Sequence, residues 1–150
     1  MSAYSFLDVT ATIEGPGGSI NFGANSGTAE EGITIESAND KNTVTMGADG
    51  SGMHSLSADE SSTVTVHLLK TSPVNAQLSQ MYNLQTASSA THGRNTITVR
   101  DAARGDSITL QQCAFKKRPS VEYAKEAKMM EWVFDAIKTN TILGVGTPEI

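Results

Sequence analysis

The sequence predicts a mainly β protein of one domain with one flanking helix. Three observations lead there. Several stretches alternate apolar and polar residues with the period of a strand. The composition is rich in Gly, Ser and Thr, with 13 glycines in 150 residues, which favours short strands and turns over a helical bundle. Only one segment, Val74 to Tyr82, pairs a helix-start signal with clear helical spacing. A length of 150 residues with 38% hydrophobic content supplies one core and little room for a second domain.

In chain order, Leu7, Val9, Ala11 and Ile13 alternate with Asp8, Thr10, Thr12 and Glu14, as a half-buried strand does. Gly15-Pro16-Gly17-Gly18 reverses the chain, and Ser19 to Phe22 returns with Ile20 and Phe22 on one side. Ile33 and Ile35 mark a third strand, and Val44 with Met46 a fourth. A long Gly/Ser-rich loop at about residues 47–62 follows, of a size that usually makes contacts elsewhere. Ser62 to Leu69 is the clearest strand, with Thr63, Thr65 and His67 on one face and Val64, Val66 and Leu68 on the other.

Thr71-Ser72-Pro73 reads as the start of a helix. A hydroxyl there caps free amides and Pro73 is tolerated in the first turn, after which Val74, Leu78, Met81 and Tyr82 recur at helical spacing. That stripe is expected to pack on the protein's own sheet. Asn95 to Arg100 and Ser107 to Phe115 read as two more strands joined by the turn Ala102 to Asp106, and the basic Lys116-Lys117-Arg118 ends at Pro119 as a solvated turn.

Spacing alone does not decide the last third. Met130, Val133, Phe134 and Ile137 fit a helix, while Met130, Trp132, Phe134 and Ala136 fit a strand. The aromatic and β-branched run from Trp132 to Ile142 favours the strand, with Val121 to Glu126 as its expected hairpin partner across Ala127-Lys128. Trp132 and Phe134 are expected in the core.

A net charge of -5 and a pI near 5.1 argue against a protein that grips nucleic acid by neutralising phosphates. Cys113 is the single cysteine, so no intrachain disulfide is available. It is expected as a small buried apolar residue. MSAYSFLDVTATIEG lacks the basic and apolar regions of a secretion signal, and no stretch reaches the roughly 20 apolar residues that span a membrane, so a soluble, non-exported chain is expected.

No catalytic constellation emerges. Gly47, Gly50 and Gly52 lack the strand-to-helix setting of a dinucleotide loop, and no P-loop motif occurs. Asp40, Asp49, Asp59 and Glu60 do not match the calcium-loop spacing of an EF-hand. His54, His67 and His92 are scattered, without metal-ligand spacing. Neither enzyme activity nor a cofactor or metal is expected.

The segments GADGSGMHSL, STVTVHLLKTSPVNAQLSQMYN and VEYAKEAKMMEWVFDAIKTN, in that order, resemble the tail tube proteins of contractile-tailed bacteriophages. The resemblance implies a β-sandwich or barrel-like fold with one flanking α-helix, forming six-membered rings that stack into a hollow inner tube. It implies further copies of this chain, tail sheath, baseplate and tail terminator as partners. Tape measure protein and DNA would pass through the lumen without specific binding. The implied location is the virion tail, assembled in the bacterial cytoplasm. Within that scheme Asp49, Gly50, Ser51, Gly52, Met53 and His54 are the expected inter-ring contact, and Asp8, Glu14, Glu36 and Asp101 are candidate lumen-wall residues, an acidic wall being one that repels DNA phosphates. Two alternatives remain open at this point: the tube protein of a contractile secretion or injection system, and a monomeric β-sandwich binding module.

Overall fold

A computed structural model describes residues 3–23 and 28–146, with the backbone alone for residues 28–31. After a 3-10 turn at Phe6–Asp8 come β1 (Val9–Gly15), β2 (Gly18–Asn21), β3 (Thr28–Ser37), β4 (Asn42–Met46), β5 (Gly52–Leu56) and β6 (Ser62–Leu68). Helix α1 (Val74–Thr86), β7 (Asn95–Asp101), β8 (Asp106–Lys117) and β9 (Met130–Ile142) complete the order. Seven strands form one antiparallel sheet in the order β2-β1-β7-β8-β9-β6-β3, and β4 pairs with β5 apart from it.

The first strand begins later than its alternation suggests. Ser5 accepts a hydrogen bond from the Leu7 amide at 3.2 Å and Asp8 N–H bonds back to the Ser5 carbonyl, which curls the chain before Val9. Leu7 is left 73% exposed, while Ala11 and Ile13 are buried.

Strand β6 follows its alternation closely, with Ser62, Val64, Val66 and Leu68 buried and the threonines and His67 half-buried on the other face. At the helix start the Ser72 hydroxyl accepts from the Val74 amide at 3.3 Å. Val74, Leu78 and Met81 turn into the core.

The ambiguous last third is a strand, and a central one. Strand β9 pairs with β6 on one side, Phe134 opposite Val64, and with β8 on the other, Phe134 opposite Phe115. The expected hairpin with Val121 to Glu126 does not form. Both edges of β9 are taken over its first half, and residues 118–129 run as an irregular strap with Val121 and Tyr123 at the surface.

Strand β8 bends the sheet. Between the pairs Ile97 with Leu110 and Asn95 with Cys113 it carries one more residue than β7 does, and Gln112 takes φ 55° to accommodate it. A second bulge lies between Phe115 and Lys117 against β9. Bulges of this kind turn corners in rolled sheets. The consequence is barrel-like: Val9, Val99 and Ile108 from one half of the sheet and Ile33 and Ile35 from the other line one small cavity.

Between the halves lies one core. Phe115 packs edge-on against Tyr82 and Trp132, with ring centroids 5.4 and 5.9 Å away, and lies 4.7 Å from Phe134. Cys113 sits in it as expected, fully buried, and burial pushes its thiol up to about 11. The core also encloses an amide pair that hydrophobic patterning does not reveal. Gln85 donates to Asn95 Oδ1 at 2.7 Å and to the Pro16 carbonyl at 2.8 Å, and Asn95 donates back to Gln85 Oε1 at 2.6 Å. This clasp joins the end of α1, the β1–β2 turn and the start of β7.

Candidate functional site

The expected long loop at 47–62 is in fact the outer half of a hairpin arm. Residues 52–56 form β5, paired with β4 from Asn42 opposite Leu56 to Met46 opposite Gly52. Gly-rich composition conceals this strand, because its two apolar residues, Met53 and Leu56, fall on opposite faces and give no alternation to read.

A five-residue turn closes the arm. Gly47 N–H bonds to the Ser51 carbonyl at 2.7 Å, and Gly50 N–H to the Gly47 carbonyl at 3.1 Å. Gly50 has φ 91°, a left-handed value that glycine adopts without strain. Asp49 accepts from the Ser51 amide at 3.1 Å and the Ser51 hydroxyl at 2.6 Å. The hydroxyl bond first, then the amide bond, holds this carboxyl below its ordinary value.

At the base, Ser57 N–H bonds to the Lys41 carbonyl at 2.8 Å, and Asn39 donates to Asp59 at 2.7 Å. The Ser61 hydroxyl, the Ser61 amide at 2.8 Å and the Asn39 amide lower Asp59 to about 2. The arm is therefore shaped at both ends, although every residue of β4 and β5 is exposed.

Cross-strand register puts Val44, Met46 and Leu56 on one face of the arm with His54, and Thr43, Thr45, Met53 and Ser55 on the other. Val44 is 52% and Leu56 84% exposed. A lone two-stranded ribbon is marginal in water, and the exposed Val44, Met46 and Leu56, beside the hydrogen-bonded Asn42 and His54, make this face a candidate surface for a partner. Asp49, Gly50, Ser51 and Gly52 form the outer end of this arm, and Met53 and His54 follow on opposite faces of β5. Val44, Met46 and Leu56, which the sequence does not single out as contact residues, complete its surface.

The four acidic candidates separate. Glu14 on β1 and Glu36 on β3 are exposed. Asp8 lies 3.9 Å from Arg104 Nη1. Asp101 is 7% exposed and bound to Arg104 at 3.0 Å, because the β7–β8 turn closes on itself through Gly105 N–H and the Asp101 carbonyl. Arg104 also donates to the Ala3 carbonyl and stacks over the Tyr4 ring, so this cluster pins the start of the chain. Among the described residues no three His, Cys, Asp or Glu side chains gather in a metal-binding arrangement.

No curated protein sequence matches the chain. Among solved structures, it is similar to a chain of the anti-feeding prophage cap, described as the tube terminating cap, with TM-score 0.56 and 13% identity over 96% of this chain and 93% of that one. It is also similar to a chain of the sheath/tube terminator of an extracellular contractile injection system, PVC, in the extended state, with TM-score 0.57 and 13% identity over 95% and 98%. A chain of the sheath-tube complex of that kind of system gives TM-score 0.55 and 11% identity over 94% and 92%. At such identities the likeness is one of fold. The family model for the Bacteriophage PhiTE tail tube protein matches residues 1–144, and the chain accordingly belongs to that family of structural tube proteins and is not an enzyme.

Proposed function

We propose that the protein forms homohexameric rings that stack into the hollow inner tube of a contractile phage tail, the conduit for DNA delivery. The observation that carries this reading is the hairpin arm. It is shaped by hydrogen bonds at both ends, leaves Val44, Met46 and Leu56 exposed, and pairs with no strand of the seven-stranded sheet. Stacked copies supply cover for those residues.

Open strand edges favour lateral contact in the same way. Over residues 137–142 strand β9 has β8 on one side and lies beyond the end of β6, which stops at the pair Ser62 with Ala136. An edge of this kind is a hazard in a monomer and a seam in a ring. Sheath, baseplate and terminator proteins are the further partners in this scheme, with tape measure protein and DNA in the lumen. Asp8, Glu14 and Glu36 are the solvent-accessible acidic candidates for a lumen wall that does not bind phosphates.

The test is to replace residues 42–56 by Asn-Gly, joining Lys41 to Ser57, whose backbones already meet. Negative-stain microscopy is expected to show hollow tubes of constant width for the native chain, and single rings or monomers for the trimmed one. Unchanged tubes from the trimmed chain remove the arm from ring stacking.

A further inference from the structure

Charge is distributed unevenly over this acidic chain. Lys70 together with residues 116–128 holds six basic residues against Glu122 and Glu126, a net of +4, whereas residues 38–60 hold Asp40, Asp49, Asp59 and Glu60 against Lys41, a net of -3. The arm and the return of the strap lie at opposite ends of one strand, with Lys117 level with its middle, opposite Val133 and so in line with Thr65. The arm leaves the sheet where Ser37 pairs with Ser62, and the basic strap rejoins it where Met130 pairs with Leu68. Strand β6 spans seven residues between them, about 20 Å at the usual rise per residue.

We propose that copies of this chain dock head to tail, with the acidic arm of one copy seated on the basic strap of the next, a contact that rests on the tube reading above and specifies its surfaces.

Both surfaces are built for such a contact. On the strap, Lys70 donates to the Glu122 carbonyl and lies 3.8 Å from the centre of the Tyr123 ring. Arg118 bonds to Asn83 at 3.2 Å and covers the Tyr82 ring. These contacts fix an otherwise irregular segment against α1. Lys116, Lys117, Lys125 and Lys128 remain exposed and make no ion pair among the described residues. Val121 and Tyr123 stand exposed between them, Tyr123 by 87%.

The arm matches this pattern, with exposed Val44, Met46 and Leu56 bordered by carboxylates. Docked head to tail, arm on strap, the contact is heterologous, and heterologous contacts propagate into rings or stacks, whereas the same charges paired antiparallel would close as a dimer. A +4 strap on a chain of net charge -5 also selects an acidic protein surface over DNA, which the rest of the molecule repels.

The test uses the full chain and two charge-reversed variants, K116E/K117E/K125E on the strap and D40K/E60K on the arm. All five positions are exposed, and circular dichroism checks the folds. Light scattering against concentration is expected to show each variant alone needing at least tenfold more protein than the native chain to associate, by analogy with coupled charge pairs across interfaces. An equimolar mixture and the chain carrying both reversals are expected to regain association. Raising salt from about 0.1 to about 1 M, which shortens screening from about 10 to about 3 Å, is expected to weaken native association.

Native-like assembly by the strap variant, or a mixture that stays monomeric, overturns the docking. So does a strap that binds duplex DNA while association between copies is indifferent to its charge. Tubes that form regardless of either reversal overturn the docking and leave the tube reading standing. Charge-dependent association without tubes supports the docking and removes the tube reading.

Discussion

Replacing Gln85 by Leu should destabilise the protein far more than a change at a residue that touches no charge would suggest. Gln85 and Asn95 are both fully buried, and Q85L removes all three hydrogen bonds of the clasp. The Asn95 oxygen and amide and the Pro16 carbonyl then lose their partner, and a buried orphan costs about 1 to 3 kcal/mol. Pro16 lies at a half-buried turn where water offsets part of its loss, and Leu adds apolar burial. A net loss of about 3 to 5 kcal/mol results, or about 6 to 20 °C in Tm for a chain of this length. N95L should cost somewhat less, because Gln85 keeps its bond to Pro16. The double variant Q85L/N95L restores an apolar pair and should be more stable than the sum of the single losses by about 1 to 3 kcal/mol. Urea denaturation of the four proteins measures the cycle. Single losses below about 1 kcal/mol, or strictly additive losses in the double variant, refute the clasp as a structural tie.

Acid should loosen the arm base before the body. Asp59 has its folded pKa depressed to about 2 against about 3.9 unfolded, so its contribution is present above about pH 4 and is lost as pH falls towards 2. NMR shifts of the Asn39 side-chain amide and the Ser61 amide should follow that titration, and D59N should abolish it; signals unchanged to pH 2 count against the assignment. Gly144→Ala should detach the end of β9 from the β7–β8 turn, since a methyl group there collides with the Arg104 carbonyl oxygen. Faster hydrogen exchange at residues 140–146 is the readout, and native protection would show that the segment adjusts without cost. Cys113, buried and with its thiol raised to about 11, should resist thiol reagents at pH 8 and react on denaturation. Rapid labelling of the native protein would place it elsewhere than in the core.

Legibility in the sequence tracks how directly a feature depends on side-chain period. Val64, Val66 and Leu68 alternate over a full strand against a buried face, and Val74, Leu78 and Met81 repeat at helical spacing after a hydroxyl and a proline. Both elements could be located from the residues alone. Strand β5 could not, since Gly52 to Leu56 buries nothing and its alternation has no core to report. The partners of β9 were obscured because pairing is non-local: Val121 to Glu126 lies next to it in sequence, yet β6, more than sixty residues earlier, takes the edge. Asp101 reads as a surface acid until Arg104 folds back on it across three residues. Gln85 and Asn95 carry no signal in the apolar spacing, since each is made burial-compatible only by the other. The basic strap is visible as a charge count, but its position opposite the arm is a property of the topology.

Because Lys41 and Ser57 already share a backbone hydrogen bond, the arm is grafted onto the sheet at a point that is closed without it. Its length is free to change while the pairing of β3 with β6 stays in register. Curvature, set by the two bulges in β8, and reach, set by the number of residues between 41 and 57, are thus separate variables. In the proposed stack, lengthening the arm by pairs of residues, one on each strand, would alter the separation between neighbouring copies without reshaping the sheet of each.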